Sequence, residues 1–345
     1  MSAQIQTTDV AIVGAGPVGL FAVFECGMLK LRCHVIDALD VAGGQCAALY
    51  PEKPIYDIPG YPSLLGHELV ERLTTQAAPF APVYHLGQRV EALHPEGARW
   101  RLETSKGKII DAAAVIVAAG VGAFGPNRPP LPGIEAYEGR SVHYMVTRPE
   151  AFRGQSVVIA GGGDSALDWS LALAGIAKRI YVIHRRPKFR GAPESVARLH
   201  RLAEEGQLEL VVPYQLHGLE GHEGLLEAVV VRDLDGGERR LPADVLLPFF
   251  GLSMNLGPIA EWGLALNHSH VVVDPATCET SQPGIYAIGD IAHYPNKLKL
   301  ILCGFSEAAM SAHAIYARLH PDEELHWEYS TTKGVPGSGF GGSPG

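Results

Sequence analysis

One arrangement of strand, glycine turn, helix and strand occurs twice in this chain, and no other feature restricts its fold so tightly. The first copy is TTDVAIVGAGPVGLFAVFECGMLKLRCHVID, starting at Thr7, and the second is GQSVVIAGGGDSALDWSLALAGIAKRIYVIH, starting at Gly154. In the first, Gly14, Gly16 and Gly19 stand as GxGxxG with Pro17 opening the helix. In the second, Gly161, Gly163 and Ala166 stand as GxGxxA, with Asp164 and Ser165 in the opening turn of the helix. Each motif follows a β-branched run and opens a helical pattern, the context in which it carries meaning. The first glycine makes a tight turn, the second lets backbone come close to a pyrophosphate, and the third lets helix pack on strand. Free N–H groups and the helix dipole then favour phosphate at the helix N-terminus. One such motif is weak, whereas two with matching flanks are strong.

The pattern predicts an α/β protein of two Rossmann-like dinucleotide-binding domains, three-layered, each a parallel sheet with a small antiparallel insert. Gly14 and Gly161 are 147 residues apart, and the same step from Asp37 lands on His184. The first repeat therefore ends its second strand in an acid, while the second ends in His184, Arg185 and Arg186 and continues to Arg190. An acid at this tip hydrogen-bonds the ribose hydroxyls, and arginines there pair with a 2′-phosphate. Asp37 thus suits FAD or NAD, and the arginine run suits NADPH; the plain alternative for the run is a solvated strand end.

RVEALHPEGARWRLETSKGKIID reads as three short strands ahead of a buried strand, AAVIVAAG, and LLEAVVVRDLDGGERRLP followed by ADVLLPFFG repeats the scheme. Proline- and glycine-bearing stretches at 125–133 and 249–258 read as crossings between domains. The late strand in TSQPGIYAIGDIA and the helix after it have no role in the second repeat and are best placed in the first. The expected division is 1–122 with 253–345 for one domain, and 123–252 inserted as the other.

A length of 345 residues accommodates two cores, and 47% apolar residues suits packed domains. The net charge of −9 disfavours nucleic acid as a partner. The longest uncharged runs fall short of the ~18 residues that span a bilayer, and MSAQIQTTD lacks a signal pattern, so a soluble cytoplasmic protein is expected. Five cysteines without a CxxC pair argue against a disulfide framework and against structural zinc, and the histidines show no ligand spacing, so no metal is expected.

GAGPVG, AGGQ, GGGDSA with HRR, and GIYAIGD together resemble the two-dinucleotide flavoproteins of the thioredoxin reductase type over nearly the whole chain. Thioredoxin reductases carry a redox CxxC just before the second glycine motif, where this chain reads VHYMVTRPEAFRGQSVVIAGGG. AGGQCAALYPEKPIYDIPGYP, AGVGAF and HRRPKFR resemble instead the ferredoxin–NADP reductases that share this fold. That resemblance implies FAD in the first domain, NADPH in the second, and ferredoxin or flavodoxin as electron partner.

Residue by residue, it implies that Gln45 contacts the flavin nucleotide, Tyr50 stacks on the isoalloxazine, Val90 and Phe124 line the adenine and flavin sides, and Asp290 bonds the ribitol. For Tyr50 the local alternative is packing on Pro51, for Val90 and Phe124 it is ordinary core, and for Asp290 it is a helix cap. HWEYSTTKG resembles a segment that covers the other flavin face from the partner subunit, where the family often has His or Phe; here it offers Tyr329 with Thr331 and implies a homodimer, with a frayed tail as the alternative.

Such a site needs nicotinamide and flavin in contact distance rather than an acid–base residue. A helix expected to begin around Gly304 would favour reduced flavin, and rotation at the crossings would admit nicotinamide between the tyrosine rings. Lys297 and Lys299 are candidate docking charges for an acidic ferredoxin, with a solvated loop as the alternative. A diaphorase or quinone reductase, and a flavin-binding redox sensor, are the competing functions.

Overall fold

Both repeats fold as parallel sheets whose central strands are covered on two faces. The computed structural model describes residues 5–49, 51–146, 148–323 and 334, with the side chains of 123–126 and 252–254 excepted. Its contacts divide the chain into one unit of Met1–Ala123 with Met254–Gly345 and a second of Phe124–Ser253.

In the first unit, strand Ile5–Val13 lies between Cys33–Ile36 and Ile109–Val117, parallel to both, and Val83–His85 extends the sheet beyond Cys33–Ile36. Val10, Ala11 and Ile12 have no exposed surface. This double burial explains why the strand reads as an unbroken apolar run instead of an alternating one. Helices Pro17–Met28 and Ile301–Leu319 cover one face, packing Ala22, Val23 and Cys26 with Ala308, Ala312 and Ile315. The two helices meet closely at Gly304, where a Cβ would fall 2.4 Å from Val18 Cγ2. The helix expected to start around Gly304 in fact starts at Ile301, and Gly304 is a packing glycine one turn inside it.

The sequence suggests a short strand before the buried AAVIVAAG, but the two are one strand, Ile109–Val117. Its first half pairs antiparallel with Arg99–Thr104, and Val115, Ile116 and Val117 pair in parallel with Ile285–Ala287. The single strand exchanges partners midway, so no turn is needed where the pattern of neighbours changes.

In the second unit the parallel order is Glu209–Val211, Arg179–Ile183, Ser156–Ala160 and Val245–Pro248. A separate antiparallel meander runs through Gln215–His222, Leu225–Arg232 and Glu238–Pro242. Among the described residues no helix is long and apolar enough to cross a membrane.

Candidate dinucleotide sites

The two glycine turns are superimposable in their hydrogen bonds. Gly14 N–H donates to the Ile36 carbonyl at 2.8 Å, and Gly161 N–H to the Ile183 carbonyl at 3.0 Å. Ala118 N–H donates to Val13 and Phe249 N–H to Ala160, each at 2.8 Å. In both units, therefore, the glycine turn is pinned between the tip of the second strand and the residue after the returning strand. A later loop also reaches the residue following the first glycine: Gly43 N–H donates to the Ala15 carbonyl at 2.8 Å, and Arg190 N–H to the Gly162 carbonyl at 2.7 Å.

Packing within the protein explains some of these glycines and not others. At Gly14, φ is +115° and a Cβ would lie 2.3 Å from the Ala118 carbonyl oxygen; at Gly19 it would lie 2.0 Å from the Gly14 oxygen. At Gly161 a Cβ would lie 2.7 Å from the Phe249 oxygen and 2.9 Å from the Ala166 methyl, the third position of the motif. Gly16 and Gly163 differ. Both have extended backbone open to any residue, with φ −70° and −101°. A Cβ at Gly16 would meet only Gly44 Cα at 4.0 Å, and one at Gly163 would meet nothing within 4 Å. The chain has no need of its own for glycine at these two places. The open space lies at the mouths of helices Pro17–Met28 and Asp164–Leu173, and a pyrophosphate laid against the backbone would fit both cradles.

At the first strand tip, Asp37 Oδ2 accepts the Ala15 N–H at 2.6 Å and Oδ1 accepts the Leu39 N–H at 2.8 Å. Burial pushes the carboxyl up from the ordinary range, against the pull of those two N–H groups. Each oxygen keeps a second lone pair, so the carboxylate is oriented with acceptor capacity to spare. Gly44, at φ +54°, rests on Gly16 closely enough that a Cβ would come within 3.0 Å of its Cα. Gln45 follows on the short helix Gly44–Ala48, its Nε2 near Gly120. Asp290 sits in the turn Gly289–Ile291, after the strand Ile285–Ala287.

Val90 is 2% exposed and belongs to the core cluster that includes Leu93 and Leu102. Tyr50, Tyr329 and Thr331 lie outside the described residues, and so does the side chain of Phe124.

In the second unit the step that relates Asp37 to His184 relates Ala15 to Gly162 as well, and the contact is kept in altered form. The His184 ring lies over Gly162, where a Cβ would come within 2.3 Å of it, and stacks on Phe189 at 5.3 Å between centroids. The extra glycine of GGGDSA is therefore required by the histidine. Burial lowers the imidazole pKa, as do the charges of Arg190, Arg185 and Arg186. His184 accordingly builds the floor of the turn as a packed ring, while the three guanidinium groups around it carry the charge. All three arginines are exposed, and none has an acidic partner among the described residues. Asp164 Oδ1 accepts the Ala192 N–H at 3.1 Å, which fixes the loop after Arg190 to the start of the helix, and Ser165 follows in that first turn.

The sequence reading missed Glu307, Tyr294 and Lys297 as a unit. Glu307 is 2% exposed in the second turn of helix Ile301–Leu319 and accepts the Gly289 N–H and the Tyr294 hydroxyl, each at 2.7 Å. Lys297 pairs with the same carboxylate, its side chain 5% exposed. Lys297 is thus corrected: it is a buried counter-charge and cannot meet a docking partner. Lys299 is exposed, its Nζ 2.8 Å from His270 Nε2. The available signal was an acid within the small-residue stripe of Gly304, Ala308, Ser311 and Ala312, since a buried acid requires a partner.

The sequence matches the family model for pyridine nucleotide-disulphide oxidoreductases over residues 8–314. It is 64% identical over 334 residues to the ferredoxin–NADP reductase of Rhodospirillum rubrum, covering 96% of this chain and 97% of that one. It is 55% identical over 326 residues to the ferredoxin–NADP reductase of Rickettsia canadensis, covering 94% and 97%. Among solved structures, the thioredoxin reductase of T. acidophilum aligns with a TM-score of 0.80 at 23% identity over 91% of this chain and 99% of that one. That of Lactococcus lactis aligns at 0.78 and 22% over 90% and 98%. At such identities the structural likeness establishes the fold alone.

Proposed function

The chain belongs to the ferredoxin–NADP reductase branch of the pyridine nucleotide-disulphide oxidoreductase family, and from that premise we propose that it passes electrons between NADPH and ferredoxin or flavodoxin through FAD. The observation that carries this reading is the contrast between two equivalent strand tips: one ends in an oriented carboxylate and the other in three guanidinium groups with no acidic partner among the described residues. Three like charges held together repel one another, so their placement makes sense for an anion that arrives from solution. A 2′-phosphate beside the ribose is such an anion, and a carboxylate in its place would reject it.

When bound, FAD supplies the chemistry that accepts a hydride from nicotinamide and gives up electrons singly. The chain supplies the placement. Gly14, Gly16 and Pro17 at the mouth of the first helix hold the FAD pyrophosphate, Asp37 holds its ribose, and Gln45 and Asp290 hold the flavin half. Gly161, Gly163, Asp164 and Ser165 receive the NADPH pyrophosphate, with Arg185, Arg186 and Arg190 on the 2′-phosphate. The N-terminus of helix Ile301–Leu319 has no side-chain cap and no acid in its first turn, so its N–H groups remain to stabilise negative charge on the flavin pyrimidine.

Tyr50 and Tyr329 complete the site by covering the two flavin faces, the second from a partner subunit of a homodimer, and rotation about the crossings admits nicotinamide. The FAD domain is 1–122 with 253–345, the NADPH domain is 123–252, and the enzyme works in the cytoplasm. Steady-state reduction of purified ferredoxin by NADPH, compared with reduction of a soluble quinone, tests the reading. Ferredoxin turnover well above quinone turnover is expected; the reverse would make the protein a diaphorase.

A further inference from the structure

Helix Ile301–Leu319 places one acid in its packed face. Glu307 Oε2 accepts the Gly289 N–H, while Oε1 accepts the Tyr294 hydroxyl and meets Lys297 Nζ. Lys297 also lies 5.3 Å from the centre of the Tyr294 ring. Cys278 is fully buried nearby, its thiol pushed up to about 12 by burial and by the Glu307 charge, so the pocket stays closed to thiolate chemistry.

A buried ion pair brings little stability that a well-packed apolar pair would not, because desolvation offsets the attraction. What an apolar pair lacks is an acceptor for Gly289. That residue has φ +75°, and its amide opens the turn Gly289–Ile291 that displays Asp290. The preceding amide, Ile288 N–H, is held by the Val117 carbonyl at 3.0 Å. Glu307 therefore fixes the first amide beyond the sheet, at the point where the chain leaves regular hydrogen bonding.

We propose that Glu307, with Lys297 as its counter-charge, is a positioning residue for the flavin nucleotide: it holds the Gly289 amide, so setting the turn that presents Asp290, and ties that turn to the helix beginning at Ile301. The inference rests on the reading of Asp290 as the ribitol contact. Tyr294 and Lys297 occupy Oε1, so that Oε2 stays directed at Gly289.

Two variants isolate the acceptor. Both carry Lys297→Met and Tyr294→Phe, which removes the buried charge and the hydroxyl; one adds Glu307→Leu and the other Glu307→Gln. They differ in whether residue 307 offers an oxygen to Gly289. FAD affinity is read by flavin fluorescence on titrating the apoproteins, beside an Asp290→Ala variant, and apoprotein melting is followed in parallel. The glutamine form is expected to bind FAD within about threefold of the parent and the leucine form about tenfold more weakly or worse, while its apoprotein melts no lower than the glutamine form. Equal affinities for these two forms, beside weakened binding by Asp290→Ala, overturn the inference alone. Unaltered binding by Asp290→Ala overturns the ribitol reading and the inference with it.

Discussion

Replacing Gly16 by alanine should separate the needs of the fold from the needs of the ligand. At this position φ is −70° and ψ 177°, and the nearest atom to an added Cβ is 4.0 Å away. The substitution introduces no strain and restricts the unfolded chain, so the apoprotein should gain about 0.4–1 kcal/mol. The same methyl stands where the pyrophosphate must approach the backbone. Losing two charge-assisted N–H contacts, at about 1.5–3 kcal/mol each, should weaken FAD at least about a hundredfold.

Gly14→Ala is the opposite control. Its φ of +115° and the 2.3 Å approach to the Ala118 oxygen should cost the apoprotein about 3 kcal/mol or more. Denaturant unfolding of both apoproteins, with fluorescence titration of FAD, makes the comparison. Gly163→Ala should repeat the Gly16 behaviour for NADPH while leaving FAD untouched. FAD binding by Gly16→Ala within threefold of the parent would refute the reasoning, because the open space above that residue would then not be where the ligand lies.

Arg185→Ala and Arg186→Ala should each weaken NADPH roughly ten- to a hundredfold and leave NADH nearly unchanged, which kcat/KM for the two cofactors will report; equal losses would remove the 2′-phosphate assignment. His85 is buried beside the Lys108 ammonium at 3.2 Å and the His34 ring at 3.1 Å, and burial with those charges pushes its imidazole down to about 4 from 6.5. Its folded pKa lies below the unfolded one, so this stability is present above about pH 6.5 and drains as pH falls toward 4, by roughly 3 kcal/mol. Unfolding free energies of the parent should therefore decline across that window more steeply than those of His85→Gln, and parallel curves would contradict the assignment. Lys299→Glu should slow ferredoxin reduction severalfold at low ionic strength and little at high, with quinone reduction unaffected; a salt-independent effect would exclude electrostatic docking there.

The parts of the fold most legible in the sequence are those where a local pattern and a packing requirement coincide. Gly14, Gly19 and Gly161 lie against backbone or methyl groups, that of Ala166 among them, which leave room for nothing larger, so the motif records steric facts. Asp37 and the arginine run could be compared because the repeat keeps its spacing through the second strand. The extent of Ile109–Val117 was harder to read, since one strand changes hydrogen-bond partners midway without any turn residue to mark the change. His184 looked like part of a charged tip because its neighbours are arginines. Its packing on Gly162 depends on a loop that returns through Phe189 and Arg190. Lys297 was misread for a related reason: in a stretch as exposed as Asn296, Leu298 and Lys299, only the three-dimensional position of Glu307 shows that one lysine turns inward.

In the proposed enzyme two nucleotides of different chemistry are held by one chain and exchange electrons through a flavin. An anaerobic titration of the purified protein, following the visible flavin absorption as NADPH is added and then as oxidised ferredoxin is mixed in, tests that exchange. The protein should be yellow, be bleached by stoichiometric NADPH and regain its colour on mixing with ferredoxin. A protein that stays colourless after incubation with excess FAD, or a bleached flavin that ferredoxin leaves reduced, would contradict it.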